Sequence, residues 1–216
     1  MKVLLIGGLG KMGREMQSFM KQNNVDFFAV DKQNFDECFD VDFDVVVDFS
    51  NAESLKQNLD LATKKQTPIL VATTNHNKTN ECMLKLASKK IAVAICPNLS
   101  IGVMCVSKML EQLTPINSYD FVLTETHHKQ KKDAPSGTAK QFIKILSNQG
   151  ITPQIVSVRA GKIVGEHTIS AIGENEIIEI KHTALSRDCF CFGAIEVCKK
   201  LITKQAGLYT IKDLLW

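Results

Sequence analysis

No stretch of this sequence is apolar for long enough to cross a membrane. The largely apolar run Met1 to Ile6 is broken by Gly7-Gly8, far short of the roughly 20 residues a spanning helix needs. The same break leaves no room for the core of a signal peptide, so the chain is expected to be cytoplasmic and to have no membrane partner. None of the seven cysteines forms a C-x-x-C pair, and no spacing of Cys and His suits zinc, so no metal site is expected. Lysines come in scattered pairs, and a net charge of +3 is too small to argue for a nucleic-acid partner. Repeats and low-complexity tracts are absent too. The thiols are expected to be free and packed, as in a reducing cytosol, with Cys189-Phe190-Cys191 read as small buried residues on one face. What remains is a 216-residue chain of mixed charge, suited to one large domain or two small ones.

What is present begins with a strand, a glycine turn and a helix. Lys2 to Ile6 reads as a buried parallel strand, Gly7-Gly8-Leu9-Gly10-Lys11-Met12-Gly13 follows, and Arg14 to Lys21 has helical character. That context is what a dinucleotide fingerprint requires: Gly7 for the tight turn, Gly10 for backbone approach to a pyrophosphate, Gly13 for close helix packing. The phosphates would lie over the helix N-terminus. Val25 to Val30 is a second strand ending at Asp31, where an acid holds ribose hydroxyls; Lys32 beside it would suit a 2′-phosphate, which leaves NADH and NADPH both open. Strands then alternate with helices: Phe43 to Phe49, a helix capped by Ser50 or Asn51 and running to about Lys65, Pro68 to Ala72, a helix Thr79 to Lys90, and Ile91 to Ile95. This alternation predicts a doubly wound parallel sheet of the Rossmann type. Gly7, Asp31, Ser50, Thr73 and Asn98 fall at the carboxyl ends of its strands, where ligands bind.

After Pro97 the pattern changes. A helix Gly102 to Leu113 precedes a strand from Tyr119, and long strands follow at Ile155 to Ala160, Glu166 to Ile172 and Ile177 to Thr183, with a final helix Arg187 to Lys204. The expectation is a C-terminal α+β domain with a mixed sheet. Residues 1–98, completed by 187–216, are expected to form the nucleotide-binding part, and residues 99–186 the part for substrate and catalysis. Between them in chemistry stands Glu125-Thr126-His127-His128-Lys129-Gln130-Lys131-Lys132-Asp133-Ala134-Pro135-Ser136-Gly137-Thr138-Ala139. Two imidazoles sit where a strand runs out, and Ser136, Gly137 and Thr138 open a helix. A helix start favours a carboxylate, so this stretch reads as an anion site beside a proton donor. Arg159 and His167 read as structural or as supports for the residues that touch substrate, and Lys162 and Glu166 as plain loop charges.

These motifs resemble the 4-hydroxy-tetrahydrodipicolinate reductase (dihydrodipicolinate reductase) family of the diaminopimelate and lysine pathway. The resemblance rests on G-x-x-G-x-M-G at Gly7 to Gly13, Asp48-Phe49-Ser50, Ala72-Thr73-Thr74, and Pro97-Asn98-Leu99-Ser100-Ile101-Gly102. Its most specific parts are E-x-H-H-x-x-K-x-D-A-P-S-G-T-A, unbroken from Glu125 to Ala139, and V-R-A-G-x-I-V-G-E-H from Val158 to His167. Lys129-Gln130 stands where the family commonly has Arg-His, Ala72 replaces a glycine, and the link from Asp31 to Phe43 is short.

The resemblance implies an NAD(P)H-dependent reductase of a small cyclic dicarboxylate. It makes His127 the general acid and Lys131 its partner, with substrate contacts from His128, Ser136, Gly137 and Thr138. NADH or NADPH would be held by Gly7, Gly8, Gly10, Lys11, Met12, Gly13, Asp31, Ser50, Ala72, Thr73, Thr74, Pro97, Asn98 and Leu99. It also implies a homotetramer built partly from the C-terminal sheets. Two other classes fit the sequence less well. An amino-acid or homoserine-type dehydrogenase lacks the paired histidines before D-A-P-S-G-T, and a nucleotide sensor on the same scaffold would have lost a donor that is kept here.

Overall fold

A computed structural model describes residues 1–113 and 118–216. They form two units, Met1–Leu99 with Phe190–Trp216, and Ser100–Cys189. The first opens with β1 (Lys2–Ile6), whose Val3, Leu4 and Leu5 have no exposed surface. A strand buried on both faces needs cover on both. Alternation continues through α1 (Lys11–Gln22), β2 (Asp26–Val30), β3 (Val45–Asp48), α2 (Leu55–Lys64), β4 (Ile69–Val71), α3 (Lys78–Ala87) and β5 (Ala92–Ile95). In α1, Gly13, Met16 and Met20 are buried at three- and four-residue spacing, so one stripe of the helix closes on the sheet.

Two of these elements depart from expectation. Neither Ser50 nor Asn51 caps α2: Asn51 Oδ1 accepts the N–H groups of Glu53 and Ser54, both at 3.0 Å, and this turn delays the helix to Leu55. The link after Asp31 is short but not plain. It carries a 3-10 helix, Phe35–Asp40, which buries Phe35 and Cys38.

The second unit contains α4 (Ile101–Glu111), β6 (Asp120–His127), α5 (Gly137–Ser147), β7 (Gln154–Arg159), β8 (Gly165–Ile172) and β9 (Ile177–Ala184). Its sheet runs β7-β6-β8-β9, with β6 and β7 parallel and the other pairs antiparallel. Val103, Val106 and Leu110 of α4 and Phe142 and Leu146 of α5 share one core with Leu123 and Ile169 of the sheet.

The chain then returns to the first unit through α6 (Asp188–Leu201), β10 (Gly207–Thr210) and α7 (Ile211–Leu215). The last two are absent from the pattern reading, which places one helix over Arg187 to Lys204. β10 has four residues of alternating partial exposure and owes its place to parallel pairing with β5. The completed sheet is parallel throughout, in the order β10-β5-β4-β3-β1-β2. Separate apolar clusters include Leu5, Met16, Ala194 and Leu201 in one, and Leu4, Leu59, Val71 and Leu84 in the other. The architecture is thus the doubly wound parallel sheet and mixed sheet that the patterning predicts.

The cysteines need a correction. None of the seven is in a disulfide, but Cys82 is exposed and Cys105 and Cys189 are only half-buried. Cys189 and Cys191 lie on α6, where a two-residue step turns them to different sides rather than to one buried face. Among the described residues no helix is long and apolar enough to cross a membrane.

Candidate functional site

In the first unit, glycine lets main chain approach main chain. Gly7 has φ +86°, and a Cβ there would meet the Phe49 carbonyl and the Ser50 nitrogen at 2.8 Å. A Cβ on Gly13 would lie 2.0 Å from the Gly7 oxygen. Gly10 caps α1 without a side chain, so the positive helix end stays open to an anion. Beside it lies a cleft of about 510 Å³ lined by Gly7, Gly10, Asp31, Lys32, Phe49 and Ser50 among others. A second, of about 490 Å³, shares Phe49 and Ser50 and adds Met12, Ala72, Thr73 and Thr74. A glycine cradle opening on two joined clefts at the carboxyl ends of the strands fits an extended dinucleotide.

The predicted nucleotide residues fall unevenly around these clefts. Asp31 turns one carboxylate oxygen onto the Leu9 N–H inside the glycine loop. Gly8 is buried and gives its carbonyl to Gln17 at 2.8 Å, while Lys11 is exposed at the start of α1. Ser50 donates N–H and hydroxyl to Asp48 Oδ1 at 2.9 and 2.5 Å. Thr73 is buried against His76, whose Nε2 lies 3.2 Å from the hydroxyl, and Thr74 is exposed. Pro97, Asn98 and Leu99 follow β5 and line neither cleft; Leu99 is buried with the core around Leu5 and Met16.

In the second unit the site is made of side chains. β6 turns Leu123, Glu125 and His127 to one face by its period of two. Pairing then sets Glu125 opposite Ser157 on β7 and His167 on β8, and His167 opposite His182 on β9. A polar row therefore crosses all four strands. Glu125 has no exposed surface. Arg159 Nη2 donates to its Oε1 at 2.7 Å and Nη1 to its Oε2 at 3.0 Å, and Oε2 also meets Nδ1 of His127. Burial pushes the Glu125 carboxyl up, but the bonds from Arg159, Ser157 and His127 outweigh it and hold it at about 2. An ionised carboxylate only accepts, so His127 donates from Nδ1 to Glu125 and its Nε2 is the nitrogen turned away from that bond.

Room over that nitrogen comes from Gly165, where a Cβ would sit 3.1 Å from Nε2. Burial lowers the His127 pKa, Lys131 and Arg159 lower it further, and Glu125 pulls the other way. Next to it His167 packs edge-on, ring centres 5.2 Å apart, with Nε2 3.0 Å from the Ser136 hydroxyl. Burial first, then the charge of His127, brings His167 down to about 4, so it stays neutral.

Beyond β6 the chain bends at His128, whose carbonyl accepts the Lys131 N–H at 3.1 Å. Lys131 Nζ lies 2.8 Å from the Asp133 carboxylate. His128 is half-buried, its Nδ1 without a partner among the described residues. Ser136 caps α5 by accepting the Ala139 N–H at 3.1 Å, and a Cβ on Gly137 would meet nothing within 4 Å, so this helix start is open too. Thr138 follows it, half-buried.

Arg159 and His167 support the cluster from neighbouring strands, whereas Glu166 is a strand residue rather than a loop charge and pairs with Lys181 at 3.0 Å. Glu125, which the sequence reading leaves without a role, is its centre. The available signal was parity, since Glu125 and His127 are two apart on a strand. Glu125, His127 and His167 bring a carboxylate oxygen and two ring nitrogens within 4.8 Å of one another. The Arg159 fork on that carboxylate makes them an ion-pair network rather than a cation cage.

Comparison with known proteins agrees across the chain. Residues 1–99 match the family described as dihydrodipicolinate reductase, N-terminus, and residues 102–215 match dihydrodipicolinate reductase, C-terminus. The 4-hydroxy-tetrahydrodipicolinate reductase of Thermosipho africanus is 36% identical over 218 residues, covering 100% of this chain and 98% of its own. That of Bdellovibrio bacteriovorus is 33% identical over 220 residues, covering 100% and 96%. A solved dipicolinate-bound dihydrodipicolinate reductase from Paenisporosarcina sp. TG-14 has a TM-score of 0.76 at 18% identity, with 97% of each chain covered, a likeness of fold. On the two family matches and these relatives, the chain belongs to the dihydrodipicolinate reductase family.

Proposed function

We propose that the chain reduces 4-hydroxy-tetrahydrodipicolinate to tetrahydrodipicolinate in lysine and diaminopimelate biosynthesis, with His127 delivering the proton and Lys131 assisting. It is a pyridine-nucleotide-dependent reductase, as its family is. The observation that carries the assignment is the state of His127: Nδ1 is tied to an ionised Glu125 while Gly165 keeps space over Nε2. A carboxylate behind an imidazole stabilises its protonated form and orients it. Bound nicotinamide supplies the hydride, which no side chain can donate. The open start of α5, at Ser136, Gly137 and Thr138, suits one substrate carboxylate, with a hydrogen-bonding contact from His128 and a cationic one from Lys131.

Residues 1–98 with 187–216 hold the nucleotide in this reading, and residues 99–186 hold the substrate. NADH is favoured over NADPH. Asp31 keeps a negative charge beside the glycine loop, where it accepts ribose hydroxyls and repels a 2′-phosphate; Lys32 in the same cleft keeps NADPH usable. The exposed Ile155, Val156 and Val158 of β7 and Ile177 and Ile178 of β9 support assembly into a homotetramer through this unit.

The test is a coupled assay in which the upstream synthase makes the substrate in place, following NADH and NADPH oxidation separately. Oxidation that depends on the synthase product, faster with NADH, is expected. His127→Gln should lower turnover about 10²–10⁴-fold and leave NADH affinity alone. Normal turnover from that variant removes His127 as donor. Silence of the wild-type chain with both nucleotides, in protein that binds NADH, would make it a sensor instead.

A further inference from the structure

We infer that Arg159 is a positioning residue that holds both proton-handling groups, His127 and Lys131, with a single guanidinium. A guanidinium has five N–H donors in one plane, and here each has an acceptor. Nη1 and Nη2 fork onto Glu125 at 3.0 and 2.7 Å, and Glu125 in turn fixes Nδ1 of His127. Nη1 also reaches the Val158 carbonyl at 2.8 Å. The remaining donors go to the loop: Nε to the Lys131 carbonyl at 3.2 Å and Nη2 to the Asp133 carbonyl at 2.5 Å. Those carbonyls flank Lys132, so the segment is pinned at Lys131 itself and again two residues beyond it. The clamp is itself held, because Arg159 pairs with His127 in the β6–β7 register and Ala160 N–H donates to the His127 carbonyl at 2.8 Å.

Lysine cannot do this. Its three donors radiate from one atom and cannot fork on a carboxylate while reaching two carbonyls in the same plane. The charge matters as well as the fork. Around His127 stand Glu125 on its own strand, Arg159 on β7, His167 on β8 and Lys131 on the loop. Removing Arg159 takes away a neighbouring cation and leaves Glu125 uncompensated. Both changes favour protonated His127.

The inference rests on His127 and Lys131 as the proton-handling groups, and its test separates the two questions. In the wild-type chain, arginine labelled with ¹⁵N contributes Arg14, Arg159 and Arg187. Arg159 should show resolved, slowly rotating Nη hydrogens, and an averaged signal would overturn the clamp whether or not any variant folds. In the synthase-coupled assay, Arg159→Lys should lower kcat about 10–100-fold with NADH affinity unchanged. Arg159→Ala should regain turnover with millimolar guanidinium, and the pH limb reporting His127 should move up by about one unit. Wild-type kcat in Arg159→Lys and an unshifted limb in Arg159→Ala, while His127→Gln stays impaired, would overturn the inference alone. Normal turnover from His127→Gln would overturn the donor assignment on which it rests.

Discussion

Each unit buries one carboxylate completely, Asp48 at the end of β3 and Glu125 within β6. Their pKa values move in opposite directions. Burial raises Asp48, and hydrogen bonds from Ser50 and Asn58 only partly offset it. Burial pushes Glu125 the same way, yet Arg159, Ser157 and His127 bring it to about 2. Asp48 has neutral donors on Oδ1 and no partner for Oδ2 among the described residues, whereas Glu125 has a cation on both oxygens. Neither carboxylate has exposed surface, but Asp48 lies deeper and has only neutral donors while Glu125 has Arg159, so depth and partner together decide the charge. Asp48 works as a structural acceptor that orders the Ser50 turn of the nucleotide cleft. Glu125 works as a permanent negative charge behind His127.

Substitution tests the contrast directly, and the largest effect is expected at Glu125. Glu125→Gln keeps the shape but strands Arg159 without its counter-charge, and should cost about 3–5 kcal/mol in denaturant unfolding. A loss under 1 kcal/mol would mean the network is slack. Acid should act next, through the same unit. His167 is held near 4 against its ordinary 6.5, so the unfolded chain takes up a proton that the fold refuses as pH falls through that window. Stability should drop by about 3 kcal/mol between those limits. Glu125 adds a further loss below its ordinary 4.5, as pH falls towards its folded value of about 2. Unfolding midpoints at pH 7 and pH 4 measure the first loss, and His167→Gln should flatten it.

Gly13→Ala probes the main-chain cradle. With its Cβ 2.0 Å from the Gly7 oxygen, the loop must shift, and NADH titration should show affinity lowered by about 10-fold or more, a cost of 1–3 kcal/mol typical of overpacking. The smallest effect is predicted at Asp48, with the opposite sign. A raised carboxyl stabilises the fold below its unfolded pKa and loses that contribution as pH rises through its folded value. Asp48→Asn should therefore be neutral or stabilising by about 1 kcal/mol at pH 7, since an amide can still accept from Ser50 and can donate towards the unpartnered Asn58 Oδ1. A loss of several kcal/mol from Asp48→Asn would erase the difference between the two carboxylates.

The glycine loop was legible because its constraint is local: Gly7 needs a positive φ and Gly13 a missing side chain, and both show in seven consecutive residues. The start of α5 was legible for the same reason, since Ser136 caps the helix it precedes. β10 was not, because four half-exposed residues become a strand only where β5 offers a free edge. Leu99 belongs with the family's nucleotide segment by motif, and its side chain is spent on the core.

Alternating apolar runs, helix caps and glycine spacing act over a few residues, and they were enough to give the two-part architecture, the nucleotide loop and the histidine stretch. The cluster around Glu125 needed β6, β7 and β8 in register, placing Arg159 34 residues away in sequence onto its carboxylate and His167 beside His127. Strand pairing has no short-range signature, because its hydrogen bonds are made by backbone that every residue carries. The family resemblance singled out His127 along the chain as the proposed proton donor, and the groups that hold its ring came from the pairing of distant strands.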